Sequence, residues 1–274
     1  MSALHQLRLA LNGRIPPFAK EAYLKLREID AGARALPDFL VLGAQKAGTT
    51  SLFNYLCLHP KIVGSVPKEI FYFCSHLEKN ERWYRRHFPR QSVVGKRAAI
   101  CGEATPISLY IPHAAERVAA LVPQAKLIVI LREPAARAVS HYYHRFRNGR
   151  DSRPIDEVFS LEQIAKWEDG TLSEFDRKYF EWSDYATGLK HWLFQYPREQ
   201  LLVLEAERMF TDPQATVDQV CAFLTIEPFT LPTTQAFNAG TSKAVKPKAF
   251  KELKDAFSRQ NSELRDLGFE MSWM

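Results

Sequence analysis

Apolar residues follow two rhythms along this chain. Short unbroken runs, Phe39-Leu40-Val41-Leu42 before Gly43 and Lys126-Leu127-Ile128-Val129-Ile130-Leu131, have the length and β-branched content of buried strands. Elsewhere apolar residues recur every three or four positions, the spacing of one helix face. This predicts helices over about 50–59 (Leu52, Phe53, Leu56, stopped by Pro60), 112–121, 185–195 and 250–264. Two more open on a proline in the first turn, one at Pro134 and one from Asp212-Pro213 to Leu224. Shorter strands are predicted at 98–102 and 201–204. Residues 62–75 are apolar around Lys68-Glu69, residues 151–183 read as polar and irregular with one or two helices, and residues 228–248 read as a loop.

Residues 1–36 alternate basic and apolar positions at helical spacing (Leu4, Leu7, Arg8, Leu11, then Ala22, Leu24, Leu26, Ile29), divided by Pro16-Pro17 into two short helices. Such a segment suits a membrane or a partner, or, more simply, packing on its own domain. Strands alternate with helices and no internal repeat is visible. The expected fold is α/β: a P-loop-like, three-layer arrangement with a mostly parallel central sheet flanked by helices. It is expected to occupy residues 37–274, after an N-terminal helical segment at 1–36.

Composition narrows the partners. Hydrophobic residues make up 46% of 274, which excludes a disordered chain. Lys and Arg number 37 against 31 Asp and Glu, a net +6 that favours anionic ligands such as phosphates, sulfates and acidic sugars. Cys57, Cys74, Cys101 and Cys221 form no CxxC or Cys/His cluster, so reduced thiols in a cytoplasmic protein are expected. No run approaches the roughly 20 apolar residues of a membrane span, and the N-terminus lacks a signal-peptide core. The basic run Arg82, Arg85, Arg86, Arg90, Lys96, Arg97 around Trp83-Tyr84 reads as a solvated face.

The chemistry concentrates in VLGAQKAGTTSLFNYLCLHP at 41–60. A strand stops at Gly43, and a helix starts near Thr50. Between them, Lys46, Ala47, Gly48, Thr49, Thr50 and Ser51 have the makings of an anion cradle: a glycine, helix-terminal amides, hydroxyls and a lysine. A triphosphate loop places its lysine directly after the second glycine; here Lys46 precedes Gly48 by two residues. The strand that would end in a magnesium-binding aspartate ends in Arg132, and Ser140 lies about two helical turns further on. Two separated anion sites with no evident metal ligand point to a ligand with two anionic groups.

The set QKAGTTSLFNYLCLHP, PKEIFYF, GEATP and LREPAARAVSHYYH resembles the sulfotransferases that use 3′-phosphoadenosine 5′-phosphosulfate (PAPS), above all the heparan sulfate and related carbohydrate enzymes and their bacterial relatives. The resemblance runs from about Pro37 to Trp273. It implies that Lys46 to Ser51 hold the 5′-phosphosulfate, that Arg132 and Ser140 hold the 3′-phosphate, and that Glu69 is the base. Lys243 partly matches a lysine in a late loop over the cofactor. The implied acceptor is a hydroxyl (or amine) of a carbohydrate or small metabolite. No metal and no nucleic acid is expected.

Bland readings stand beside these. Glu69 has an alternative use as an ion pair with Lys68, and Arg132 as one with Glu133. Glu103, expected just past a strand end, is the rival carboxylate, acting on the acceptor or anchoring its loop. His141 and His144 read as helix-surface residues. Phe71, Tyr72, Phe73, Trp83 and Tyr84 read as either an acceptor cleft or core. Where the heparan 3-O-sulfotransferases carry a lysine, a histidine and an arginine, this chain has Ala104, Phe71 and Val245. These departures put heparan-type acceptors in doubt. A magnesium-dependent kinase or NTPase and a non-catalytic polyanion binder are the other function classes.

Overall fold

The computed structural model describes residues 16–97, 99–232 and 245–274. Five strands, β1 (Phe39–Gly43), β2 (Ile62–Gly64), β3 (Ile100–Ala104), β4 (Lys126–Leu131) and β5 (Leu201–Glu205), form one sheet in the order β2-β3-β1-β4-β5. Every pairing is parallel. Every residue of β1 is buried, and so is every residue of β4 after Lys126, which is why these two read as unbroken apolar runs. The chain leaves β1 toward β2 and β3, then crosses to β4 and β5, so the direction reverses around β1. Loops leaving the carboxyl ends of β1, β3 and β4 therefore diverge around a crevice, where ligands of open α/β sheets bind.

The helices are α1 (Pro17–Ile29), α2 (Thr49–Leu56), α3 (Glu81–Arg85), α4 (Gln91–Arg97), α5 (Pro112–Leu121), α6 (Pro134–Arg147), α7 (Ile155–Val158), α8 (Leu161–Glu168), α9 (Glu174–Phe180), α10 (Tyr185–Gln195), α11 (Ala206–Thr211), α12 (Pro213–Leu224) and α13 (Phe250–Asp266). Bounds for α5, α10 and α12 follow the sequence expectation. The first of the two N-terminal helices, like Lys243, lies outside the described residues.

Three expectations are corrected. The strand placed at 98–102 lies at 100–104, pinned by Asp38, whose carboxylate accepts from the Cys101 amide at 2.7 Å. Glu103 is thus inside the strand and not past it. The basic run is a solvated face only in part: Arg82, Arg90 and Lys96 are exposed, but the Arg86 side chain is 4% exposed and bridges Glu21 and Glu28 of α1 at 3.1 and 3.0 Å. Residues 151–183 are not irregular. They carry α7, α8 and α9, and their scattered Val158, Phe159, Ile164, Leu172, Tyr179 and Phe180 pack with α13 and one face of α6 into a second core. Apolar residues scattered singly or in pairs between charges hide that core from any periodicity count. The four cysteines are free thiols, with Cys57, Cys101 and Cys221 buried.

Candidate active site

The loop after β1 turns through left-handed backbone at Lys46 (φ 73°) and Gly48 (φ 93°). Gly48 is required twice over. Its φ suits glycine, and a Cβ there would sit 2.6 Å from the Met209 methyl and 2.9 Å from the Phe210 ring. Residues Met209 and Phe210 of α11 therefore back the loop, which sequence reasoning missed. Lysine at a positive φ is strained, and such strain persists only where surrounding structure holds it. Gly48 provides no capping side chain for α2, so the first turn presents its amides at the positive end of the helix dipole. Ala47, Thr49 and Ser51 are buried; Thr50 is half-buried.

Arg132 comes directly to this loop. Its Nη1 donates to the Lys46 carbonyl at 3.3 Å, and its guanidinium lies 5.8 Å from the Phe210 ring centre. The alternative ion pair with Glu133 does not form, because both Glu133 oxygens cap α6 by accepting from the Ala135 and Ala136 amides at 3.1 and 2.8 Å. On α6, Ala135, Ala138, Val139 and Tyr142 enter the second core. Ser140, His144 and Arg147 share the opposite face, by their i, i+4, i+7 spacing. That face looks at the loop. Burial first, then the guanidinia of Arg147 and Arg132, pull the Lys46 ammonium below its ordinary value, with Glu69 pulling the other way. His144 is lowered too, by burial and then by Lys46, Arg147 and Arg150. So Lys46, Lys68, Arg132 and Arg147 share one electrostatic neighbourhood with one carboxylate, Glu69. An excess of cations over a helix N-terminus suits a multiply charged anion.

Two histidines expected on the surface part ways. His144 is half-buried and faces the site. His141 is 4% exposed, stacked on Trp182 at 5.1 Å and 4°, and burial lowers its pKa to about 2. It is a neutral core ring.

The two candidate carboxylates also separate. Glu69 is partly open, 39% exposed at the side chain, and pairs with Lys68 Nζ at 3.1 Å. The alternative use foreseen for Glu69 is thus present. Lys68 Nζ also donates to Thr49 Oγ1 at 3.5 Å, linking Glu69 to the start of α2. Glu103 is 2% exposed, and burial raises its carboxyl to about 8, against the opposing pull of the Tyr84 and Thr105 hydroxyls beside it. At neutral pH it carries its proton. Thr105 Oγ1 donates to Glu103 at 3.4 Å and accepts from the Ile70 and Phe71 amides at 3.2 and 3.4 Å. Ala104 N donates to the Lys68 carbonyl at 3.3 Å. Glu103 lies one layer beneath Glu69. Phe71 holds a left-handed backbone (φ 58°), its carbonyl accepting from the amides of Cys74, Ser75 and His76. Tyr72, Phe73 and Tyr84 are core, in mutual ring contact; Trp83 and Phe71 are half-buried.

A family model described as a sulfotransferase domain matches residues 36–267. The bifunctional heparan sulfate N-deacetylase/N-sulfotransferase 2 of Homo sapiens is 34% identical over 204 residues, 71% of this chain and 22% of its own length. The heparan sulfate glucosamine 3-O-sulfotransferase 3A1 of Homo sapiens is 31% identical over 196 residues, 72% of this chain and 46% of its own. The chain therefore spans less than half the length of either relative. Among solved structures, a sulfotransferase from Alicyclobacillus acidocaldarius superposes with a TM-score of 0.68 at 28% identity, covering 87% of this chain and 99% of that one.

Proposed function

The chain belongs to the sulfotransferase family, and on that premise we propose that it transfers a sulfuryl group from PAPS to a hydroxyl (or amine) of a carbohydrate or small-metabolite acceptor. The observation that carries this reading is the meeting of Arg132 with the Lys46 loop at an uncapped helix N-terminus. This donor set fits a nucleotide with two separate anionic groups: the amides of α2 with Lys46 at one, Arg132 with Ser140 at the other. When bound, the nucleotide supplies a sulfuryl group already activated by its 5′-phosphate.

The protein's own work is positioning and charge. Glu69, the open carboxylate, takes the acceptor proton as the acceptor oxygen (or nitrogen) bonds to sulfur. Lys46 holds the negative charge that gathers on the departing phosphate oxygen. Lys68 holds Glu69 through an ion pair that opens to solvent on the carboxylate side. Glu103, neutral and buried, sets the peptide after Glu69 through Thr105. Arg147 and Arg150 are exposed and have no carboxylate partner among the described residues, which favours an acceptor that is itself anionic.

The test is calorimetric titration with adenosine 3′,5′-bisphosphate and with magnesium-ATP. Tight bisphosphate binding without metal is expected. Arg132→Ala should weaken the bisphosphate by about 10- to 100-fold, the worth of a hydrogen bond to a charged group, and the 5′-monophosphate far less. Tight magnesium-ATP binding with weak bisphosphate, or equal losses on the two nucleotides, would overturn the assignment.

A further inference from the structure

Helix α1 is turned inside out. Phe18, Leu26 and Ile29 are 77%, 68% and 75% exposed, and Ala22 and Lys25 between them are exposed as well. At 100° per residue these five fall on one outward arc. The inward side is largely polar. Arg27 donates to the Tyr23 hydroxyl and the Phe88 carbonyl, Glu21 and Glu28 accept from buried Arg86, and Leu24 is the helix's one buried residue. A helix that served only to cover its own domain would turn Phe18, Leu26 and Ile29 inward.

Charge says what the outward face meets. The nearby acids are all matched: Glu21 and Glu28 by Arg86, Asp30 by Arg34 and Arg90, Glu81 by Arg85. Lys25 and Arg82 have no carboxylate partner among the described residues. Arg82 donates to the Glu28 and Ile29 carbonyls at 3.1 and 3.4 Å, which sets a cation at the end of the apolar stripe. Large apolar side chains framed by unmatched cations are the makings of an interfacial helix, whose apolar face enters the acyl boundary while Lys and Arg reach headgroups. A second copy on the same face would bring these cations together. No helix among the described residues is long and apolar enough to cross a membrane.

We propose that the outward face of α1 docks the protein peripherally on an anionic lipid surface. This rests on α1 alone and not on the sulfotransferase reading. The test is co-sedimentation of the full chain with phosphatidylcholine vesicles, with or without phosphatidylglycerol. Binding should be on the order of tenfold tighter to the anionic vesicles, given two unmatched cations, and should fall as salt rises. Phe18→Ser with Leu26→Ser should abolish it and leave the thermal midpoint unchanged. Four results would overturn the proposal. No vesicle binding, or binding that survives the double substitution, removes the lipid. A concentration-dependent dimer lost on substitution assigns the face to a second copy. A midpoint lowered by several degrees shows that the chain itself covers it.

Discussion

Glu69 and Glu103 are joined through a single threonine and live in opposite surroundings. Glu69 is more than a third exposed, pairs with Lys68 and acts on Lys46 in the loop after β1. Glu103 is sealed in β3, and burial keeps it protonated at neutral pH. One can receive a proton from an acceptor; the other can only shape the peptide that carries the first. Both are glutamates in short motifs near the loop after β1, so only depth tells them apart. Under the proposed function, proton transfer falls to Glu69 and positioning to Glu103, and each half can be broken separately.

The largest expected effect is on Glu69. Glu69→Gln keeps the size and polarity of the side chain and removes its basicity. Turnover should fall by about 10²–10⁴, the usual worth of a general base, with bisphosphate affinity within about twofold, the residue being placed at the acceptor and not at the nucleotide. Steady-state kinetics beside calorimetry reads both. Unchanged turnover would move the proton elsewhere, and His144 is the next group to examine because it shares the surroundings of Lys46 and Glu69.

The second effect concerns Glu103. Glu103→Leu leaves the Thr105 hydroxyl without its acceptor, which should cost about 1–3 kcal/mol of stability and lower turnover by roughly tenfold through a displaced Glu69. Glu103→Gln retains an acceptor oxygen and should recover most of that activity. A loss as deep as that of Glu69→Gln would mean that the buried acid itself touches the acceptor. The pH dependence of stability gives an independent reading. The folded carboxyl is raised to about 8, above its unfolded value near 4.3. The folded state therefore holds one more proton on this group between those limits, and its contribution to stability is full at the acid end. It falls by about 1.4 kcal/mol per pH unit up to about 8. Denaturant titrations of wild type and Glu103→Gln should diverge over that window, the glutamine form gaining relative stability as pH rises.

Much of this arrangement is legible in the sequence, for physical reasons. β1 and β4 announce themselves because a doubly covered parallel strand must be apolar on both faces. Lys46 and Gly48 announce themselves because a lysine and a glycine between a strand and a helix have few uses besides holding an anion. Depth does not announce itself. A two-residue shift in β3 turned Glu103 from a loop residue into a core one, and the cause is Asp38 reaching across to the Cys101 amide. The stripe Ser140, His144, Arg147 has a clear signal in its spacing, yet choosing the site face over the core face requires knowing that residues 151–183 form the second core. The backing of Gly48 by Met209 and Phe210 joins positions about 160 residues apart, beyond any local pattern.

The smallest expected effect falls on the bridge between the two regions. Lys68 lies against Thr49 and Glu69 together. Bound anion and Glu69 compete for its ammonium, so Lys68→Met tests which has the stronger hold. If the lysine serves the loop, affinity for adenosine 5′-monophosphate and for the 3′,5′-bisphosphate should fall by the same factor, about fivefold, as expected for one partly screened charge at the shared 5′ end. Arg132→Ala should instead separate the two nucleotides. If Lys68 serves only to hold Glu69, both affinities stay put and turnover alone changes, because a carboxylate freed of its cation is a better base in a worse position. Equal and undiminished nucleotide binding would therefore take Lys68 out of the anion site and leave Lys46 to neutralise the 5′ end with the α2 amides.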